Sequence, residues 1–127
     1  MKKTLSVLLL LLSLISFSQN QEIGQNFVEI LLKEKNFEKA LTFLDPSIKN
    51  QITIDLLSKT SAQLDAQLGA YQNIISVANK GAILSYYTQF KNMALDFDIS
   101  FKEDKIVGFF LKQHQEVNAN DYKIKSG

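Results

Sequence analysis

No cysteine occurs in the 127 residues of this chain. Its absence excludes disulfides, thiolate nucleophiles and cysteine-based zinc or iron–sulfur sites, and with them the lipid-modified cysteine of a bacterial lipoprotein. Stability must then come from packing alone. Arginine is missing too: every basic residue is a lysine, and the lysines are spread along the chain without forming a stripe. Without guanidinium groups the bidentate contacts that read guanine and phosphate cannot form, so nucleic acid is not expected as a partner. The one histidine, His114, has no second histidine to complete a metal site, and neither a metal nor another cofactor is expected. Proline is used once and no low-complexity tract appears, which argues for a folded body with no disordered stretch inside it.

What is present begins with a leader. Lys2 and Lys3 precede an apolar stretch from Leu5 to Phe17, and Ser16-Phe17-Ser18 offers small residues at the two positions a signal peptidase reads. This predicts export to the periplasm or beyond, with cleavage between Ser18 and Gln19. The alternative, a retained anchor, meets the objection that about 13 apolar residues fall short of the roughly 20 that span a bilayer. No stable span is therefore expected after cleavage, and about 109 residues remain, enough for one domain with a modest core.

In that body the hydrophobic period changes from helical to alternating. Ile23, Phe27, Ile30 and Leu31 form one apolar helical face, and Asn36 breaks and recaps the chain. Phe37, Ala40, Leu41 and Leu44 repeat the helical spacing. Asp45-Pro46 is an N-cap with proline at the first helical position, starting a short turn over Pro46 to Gln51. Thr53 caps a longer helix that ends where Gly69 can turn left-handed, and as the longest it is expected to lie across the sheet.

From Tyr71 onward the period is two. Gln72 to Asn79 and Ala82 to Lys91 flank a Lys80-Gly81 turn, Leu95, Phe97, Ile99 and Phe101 alternate with Asp96, Asp98, Ser100 and Lys102, and Glu103-Asp104-Lys105 leads to a last strand from Ile106 to about Gln113. Apolar residues on both faces of Val107 to Leu111 suit a central or doubly covered strand, with Gly108 allowing a bend or bulge. Residues 114–127 read as a polar tail or linker.

Four segments carry a family resemblance: Asn26 to Leu32, Asn36 to Asp45, Leu64 to Gly69, and Lys105 to Lys112. Together they resemble the bacterial domain-of-unknown-function family 3887, over about residues 23–113. The resemblance implies a cone similar to nuclear transport factor 2 and the cystatins, with helices packed into the concave side of a curved sheet. It also implies export, often in front of an α/β-hydrolase or peptidase-like domain. No Gly-x-Ser-x-Gly nucleophile elbow follows the sheet here, so no hydrolase activity is carried over.

Cones of this kind host isomerases and dehydratases that use an acid, a tyrosine or a histidine in the pocket. Asp96, Asp98, Tyr86 and Tyr87 are the candidates here. The two acids alternate with inward apolar residues and are expected on the solvated face. Tyr86 and Tyr87, adjacent on a strand, must point to opposite faces. His114 reads as a surface group, and no Ser-His-Asp arrangement can be assembled around it. A ligand pocket, if one exists, would draw on Tyr86, Tyr87, Phe90, Phe97, Phe101 and Phe109.

The expected fold is thus α+β, with N-terminal helices packed on a curved antiparallel four-stranded sheet. Its expected layout is a signal peptide at 1–18, a domain at 19–113 and a tail at 114–127. The expected function is a secreted, non-enzymatic binding or accessory module. It would hold a small apolar ligand or a protein partner, or pair with a second copy through the sheet face. The alternative is a cofactor-free isomerase, dehydratase or hydrolase with an acid or tyrosine in the pocket.

Overall fold

In the computed structural model, which describes residues 19–114, helices precede a single antiparallel sheet. The leader read over residues 1–18 and the tail from 115 onward lie outside the described residues. The first helix, α1, covers 19–29 and runs on through a π turn at Ile30–Glu34. Lys35 stops it in the left-handed conformation at φ 57°. Each following helix starts on a capping side chain, as the sequence expects. Asn36 accepts from the Lys39 N–H for α2 (Phe37–Leu41), Asp45 from the Ser47 N–H for α3 (Pro46–Lys49), and Thr53 from the Leu56 N–H for α4 (Ile54–Leu68). The Ser47 hydroxyl and N–H hold the Asp45 carboxyl below its ordinary value.

The sheet runs in the order β1 (Tyr71–Lys80), β2 (Ile83–Phe90), β3 (Ala94–Lys102), β4 (Lys105–Lys112). Two of its turns are shifted by one residue from the sequence reading. Lys80 closes the first hairpin against Ile83, which makes Gly81-Ala82 the loop. Gly81 sits there at φ 81°, in the first loop position where hairpin turns demand a positive φ. At the third hairpin Lys102 pairs with Lys105 across Glu103-Asp104, and Glu103 takes the left-handed conformation.

The helix that lies on the sheet is α1, not α4. Phe27, fully buried, packs its ring between those of Phe43, Phe97 and Phe109 at 6.1, 6.4 and 5.3 Å. The helix comes this close because Gly24 faces Tyr86, whose hydroxyl donates to the carbonyl of Gln21 at 2.8 Å. By contrast α4 buries only Leu57, Ser61 and Leu68 and braces α1 from outside, where Lys35 bonds Asp65 at 2.5 Å and Ser61 at 3.1 Å. Expected as the longest, α4 has 15 residues against the run of 19–34 in α1 with its π turn, and it carries fewer bulky apolar residues on its buried face. Among the described residues no helix is long and apolar enough to cross a membrane.

Another departure concerns β4. The strand read as central or doubly covered is an edge of the sheet. Its start is covered: Ile106 bridges to Leu44, giving its carbonyl to the Asp45 N–H and its N–H to the Phe43 carbonyl. Beyond a bulge at Val107, between the pairs Phe101–Ile106 and Ser100–Gly108, the strand continues with no neighbouring strand among the described residues.

Two expected outcomes follow from the α1–sheet contact. Alanine at position 24 would place its Cβ 2.0 Å from the Tyr86 hydroxyl oxygen and 2.5 Å from Cζ. Helix propensity favours alanine by about 1 kcal/mol, but overpacking of this kind costs about 1–3 kcal/mol or more. Gly24→Ala should therefore be destabilising in urea titrations, and adding Tyr86→Phe should cost less in that background than in the wild type; strictly additive costs would show that the contact is not the cause. The second outcome concerns alkaline pH. Burial, and secondarily Glu29, pushes the Tyr71 hydroxyl up to about 12, and burial raises Tyr86 as well. These phenols ionise more readily in the unfolded chain, so the stability they contribute is complete below about pH 10 and is lost as the pH rises toward 12. The melting temperature should fall steeply above about pH 10, and less steeply in Tyr86→Phe; equal slopes would contradict the assignment.

Candidate functional site

Cross-strand pairing sorts the six residues proposed for a pocket. Tyr86 pairs with Phe97, and Phe97 with Leu111, in a row facing the helices. Tyr86, Phe90 and Phe97 are fully buried in the core, and Phe109 is half-buried against Phe27 and Phe97. Phe101 is half-buried too and lies beside Leu84 in a shallow groove of about 290 Å³ rimmed by Asn20, Asn79 and Glu103. Tyr87 points the other way, onto the outer face of the sheet. Helix-facing aromatics thus fill the space between α1 and the strands.

The polar chemistry is organised on the outer face. Two adjacent rows cross it: Ser85, Asp98 and Phe110 in one, Tyr87, Asp96 and Lys112 in the other. The alternation places Asp96 and Asp98 off the helix face as expected, but neither is solvated. Asp96 is 3 % exposed and Asp98 1 %. A carboxylate in that position needs charged or hydrogen-bonding partners, and both have them. The Ser85 hydroxyl donates to Asp98 Oδ1 at 2.5 Å and the Lys112 ammonium reaches Oδ2 at 3.1 Å. Asp96 Oδ1 accepts from Nδ1 of His114 at 2.9 Å. His114, read as a surface group, is half-buried and lies flat on the Tyr87 ring, centroids 3.8 Å apart and planes 12° from parallel.

Lys112 reaches diagonally, one pair along, which is within range for a long side chain on a neighbouring strand. Lys112 stands opposite Asp96 yet bonds Asp98, leaving Asp96 to His114. Asp98, by its hydrogen bond and its charge, holds the Lys112 ammonium above its ordinary value. No buried polar side-chain atom among the described residues lacks a partner. Ser85 sits on Asp98 and His114 on Asp96, so the three residue types of a hydrolytic triad are present without being connected as one. Nor do the described residues gather three or more potential metal ligands in one place.

Sequence reasoning named Asp96, Asp98, Tyr87 and His114 separately but missed Ser85 and Lys112 and the way the six assemble. The family profile described as a protein of unknown function (DUF3887) matches residues 25–109. The chain belongs to that family. Compared with curated proteins and with solved structures, it matches none. The DUF3887 segment includes Ser85, Tyr87, Asp96 and Asp98 and stops short of Lys112 and His114, so the acids lie inside it and their cationic or imidazole partners beyond it.

The Asp98 side chain is 2 % exposed and that of Lys112 41 %, so removing the lysine, not the acid, leaves a buried charge uncompensated. Lys112→Ala is expected to lower stability by about 1–3 kcal/mol. Combined with Asp98→Ala it should show a coupling of about 0.5–3 kcal/mol in a double-mutant cycle. Chemical denaturation of the four proteins measures this, and additivity within about 0.3 kcal/mol would show that the lysine does not compensate the carboxylate.

Proposed function

We propose that this DUF3887 domain is an exported, non-catalytic binding module that presents the outer face of its sheet to a protein partner. The observation that carries the reading is the division of the two faces. Fully buried aromatic side chains occupy the helix side, whereas the fixed hydrogen-bonding groups stand on the face over which no described helix lies. The Tyr87–His114 stack, flanked by paired acids, offers a flat aromatic surface of the kind enriched at protein interfaces. The lysine-apolar-serine leader read in the sequence supports export.

A second reading rests on Asp96 and His114, whose contact has the form of an acid–base pair that a cofactor-free isomerase, dehydratase or hydrolase could use. The binding reading is favoured because this pair lies outside the space between helices and sheet.

Two measurements on the purified chain test the proposal. A thermal-shift screen against lipids, sterols and aromatic metabolites should be flat, since a ligand at about a hundred times its dissociation constant would add roughly 2.7 kcal/mol. Proteins of the producing cell's envelope and medium should be retained by the immobilised chain and released by Tyr87→Ala, which removes the stack and keeps the core. A saturable small-molecule shift, or retention indifferent to Tyr87, would replace the proposal with the ligand-pocket reading or reject the face. Turnover of a substrate that disappears in His114→Gln would establish the catalytic alternative.

A further inference from the structure

We infer that the free edge of β4 is a self-association site, at which a second copy of this chain adds its own β4 in antiparallel register about Phe110. The inference is independent of the outer-face proposal and concerns different backbone groups.

The orientation of those groups follows from the pairing. Phe101 gives its N–H to Ala82, so Phe101 faces β2, and by alternation Ser100 and Asp98 face β4. Their partners Gly108 and Phe110 therefore turn toward β3, while Phe109 and Leu111 turn their N–H and C=O groups to the open edge. Among the described residues no backbone group bonds them there. Sheet edges are normally blunted by bulges, charges or a covering segment. The β1 edge has two register shifts, at Tyr71/Asn73 and Ile74/Ser76, and Ile106 on β4 is covered by the Phe43–Asp45 connection. Past the Val107 bulge, Gly108 to Lys112 carry no such protection among the described residues beyond the single lysine, and the exposed edge is apolar on both sides.

Why a second copy fits follows from the register. Pairing about a two-fold axis at Phe110 sets Phe109 opposite Leu111 twice. Both turn to the edge, so each pair can exchange two hydrogen bonds. Lys112 then lies across from Gly108, which has no side chain to oppose it. Since β4 ends at Lys112, neither strand runs into the connection that covers Ile106. Beside the edge an open groove of about 440 Å³, with Ile48, Ile52 and Leu56 on its helical wall, would take apolar side chains from the incoming copy. Phe110 and Leu56 are 48 % and 46 % exposed, so pairing would cover two of the larger apolar side chains left open. A strand pair of this length with one groove falls at or below the low end of stable interfaces, about 1,200 Å² in total. The dimer is accordingly weak and reversible.

Sedimentation of the purified chain, tail included, over about 5 µM to 1 mM tests this together with amide exchange by NMR. Expected are a monomer–dimer equilibrium in that range and exchange at Phe109 and Leu111 that slows as concentration rises. Phe110→Lys, which sets two ammonium groups across the axis at a half-exposed site, should weaken dimerisation by at least tenfold with an unchanged far-ultraviolet spectrum. Leu56→Lys on the groove wall serves the same purpose should the first variant fold poorly. A monomer throughout the range overturns the inference. So does a dimer whose Phe109 and Leu111 amides exchange independently of concentration, since the copies would then meet elsewhere. A chain that dimerises only after Tyr122 and Ile124 are changed to lysine would place its own tail on the edge, and that too overturns it.

Discussion

Everything in this fold depends on how closely α1 lies on the sheet. That distance is set where Gly24 meets Tyr86, at a separation that leaves no room for a Cβ. The tyrosine hydroxyl, unable to reach water, is satisfied by the Gln21 carbonyl one turn earlier on the same helix, so the close approach also removes the cost of burying it. One turn later Phe27 enters the gap between Phe43, Phe97 and Phe109. A wider spacing would leave these rings short of contact and open a cavity; the observed spacing fills the concavity with side chains. The interior is thereby spent on packing, which is what a chain without disulfides requires of it.

This close packing also decides where other chemistry can be. With the helix face committed to aromatics, fixed polar groups can only stand on the outer face or at an edge. On the outer face two carboxylates are nearly inaccessible although, among the described residues, no helix or second sheet lies there. Along the cross-strand rows Asp98 lies between Ser85 and Phe110, and Asp96 between Tyr87 and Lys112. Alternation along a strand tells which face a residue takes, but not whether its neighbours cover it.

The helices and their ends were legible in the sequence because they rest on local chemistry: Asn36, Asp45 and Thr53 cap as expected, and Gly69 ends α4 at φ 82°. Strand identities and the opposed directions of Tyr86 and Tyr87 were legible for the same reason. The assembled site was not, and the cause is one residue. Counting back from the Lys102–Lys105 turn without interruption would set Lys112 opposite Leu95 and Phe110 opposite Phe97, both on the helix face. The bulge at Val107 slips the register by one, and a slip of one transfers every later side chain to the opposite face. It thereby brings Lys112 to the acids and turns Phe109 and Leu111 inward. Gly108 hinted at a bulge, but only the paired strands show its consequence.

The same bulge separates two roles along β4. Before it, Ile106 is tied to the α2–α3 connection and belongs to the core. After it, the strand supplies the outer face with Lys112 and leads to His114, while its far side pairs with no strand among the described residues. The compensation of two buried acids therefore rests on residues at and just past the end of β4, where anchorage to the rest of the fold is least. Loosening that end would leave Asp96 and Asp98 without the imidazole and ammonium that now face them, at the cost any uncompensated buried charge carries. A second strand against the β4 edge would oppose such loosening, which couples the order of the outer face to the occupancy of the edge through one short stretch of backbone.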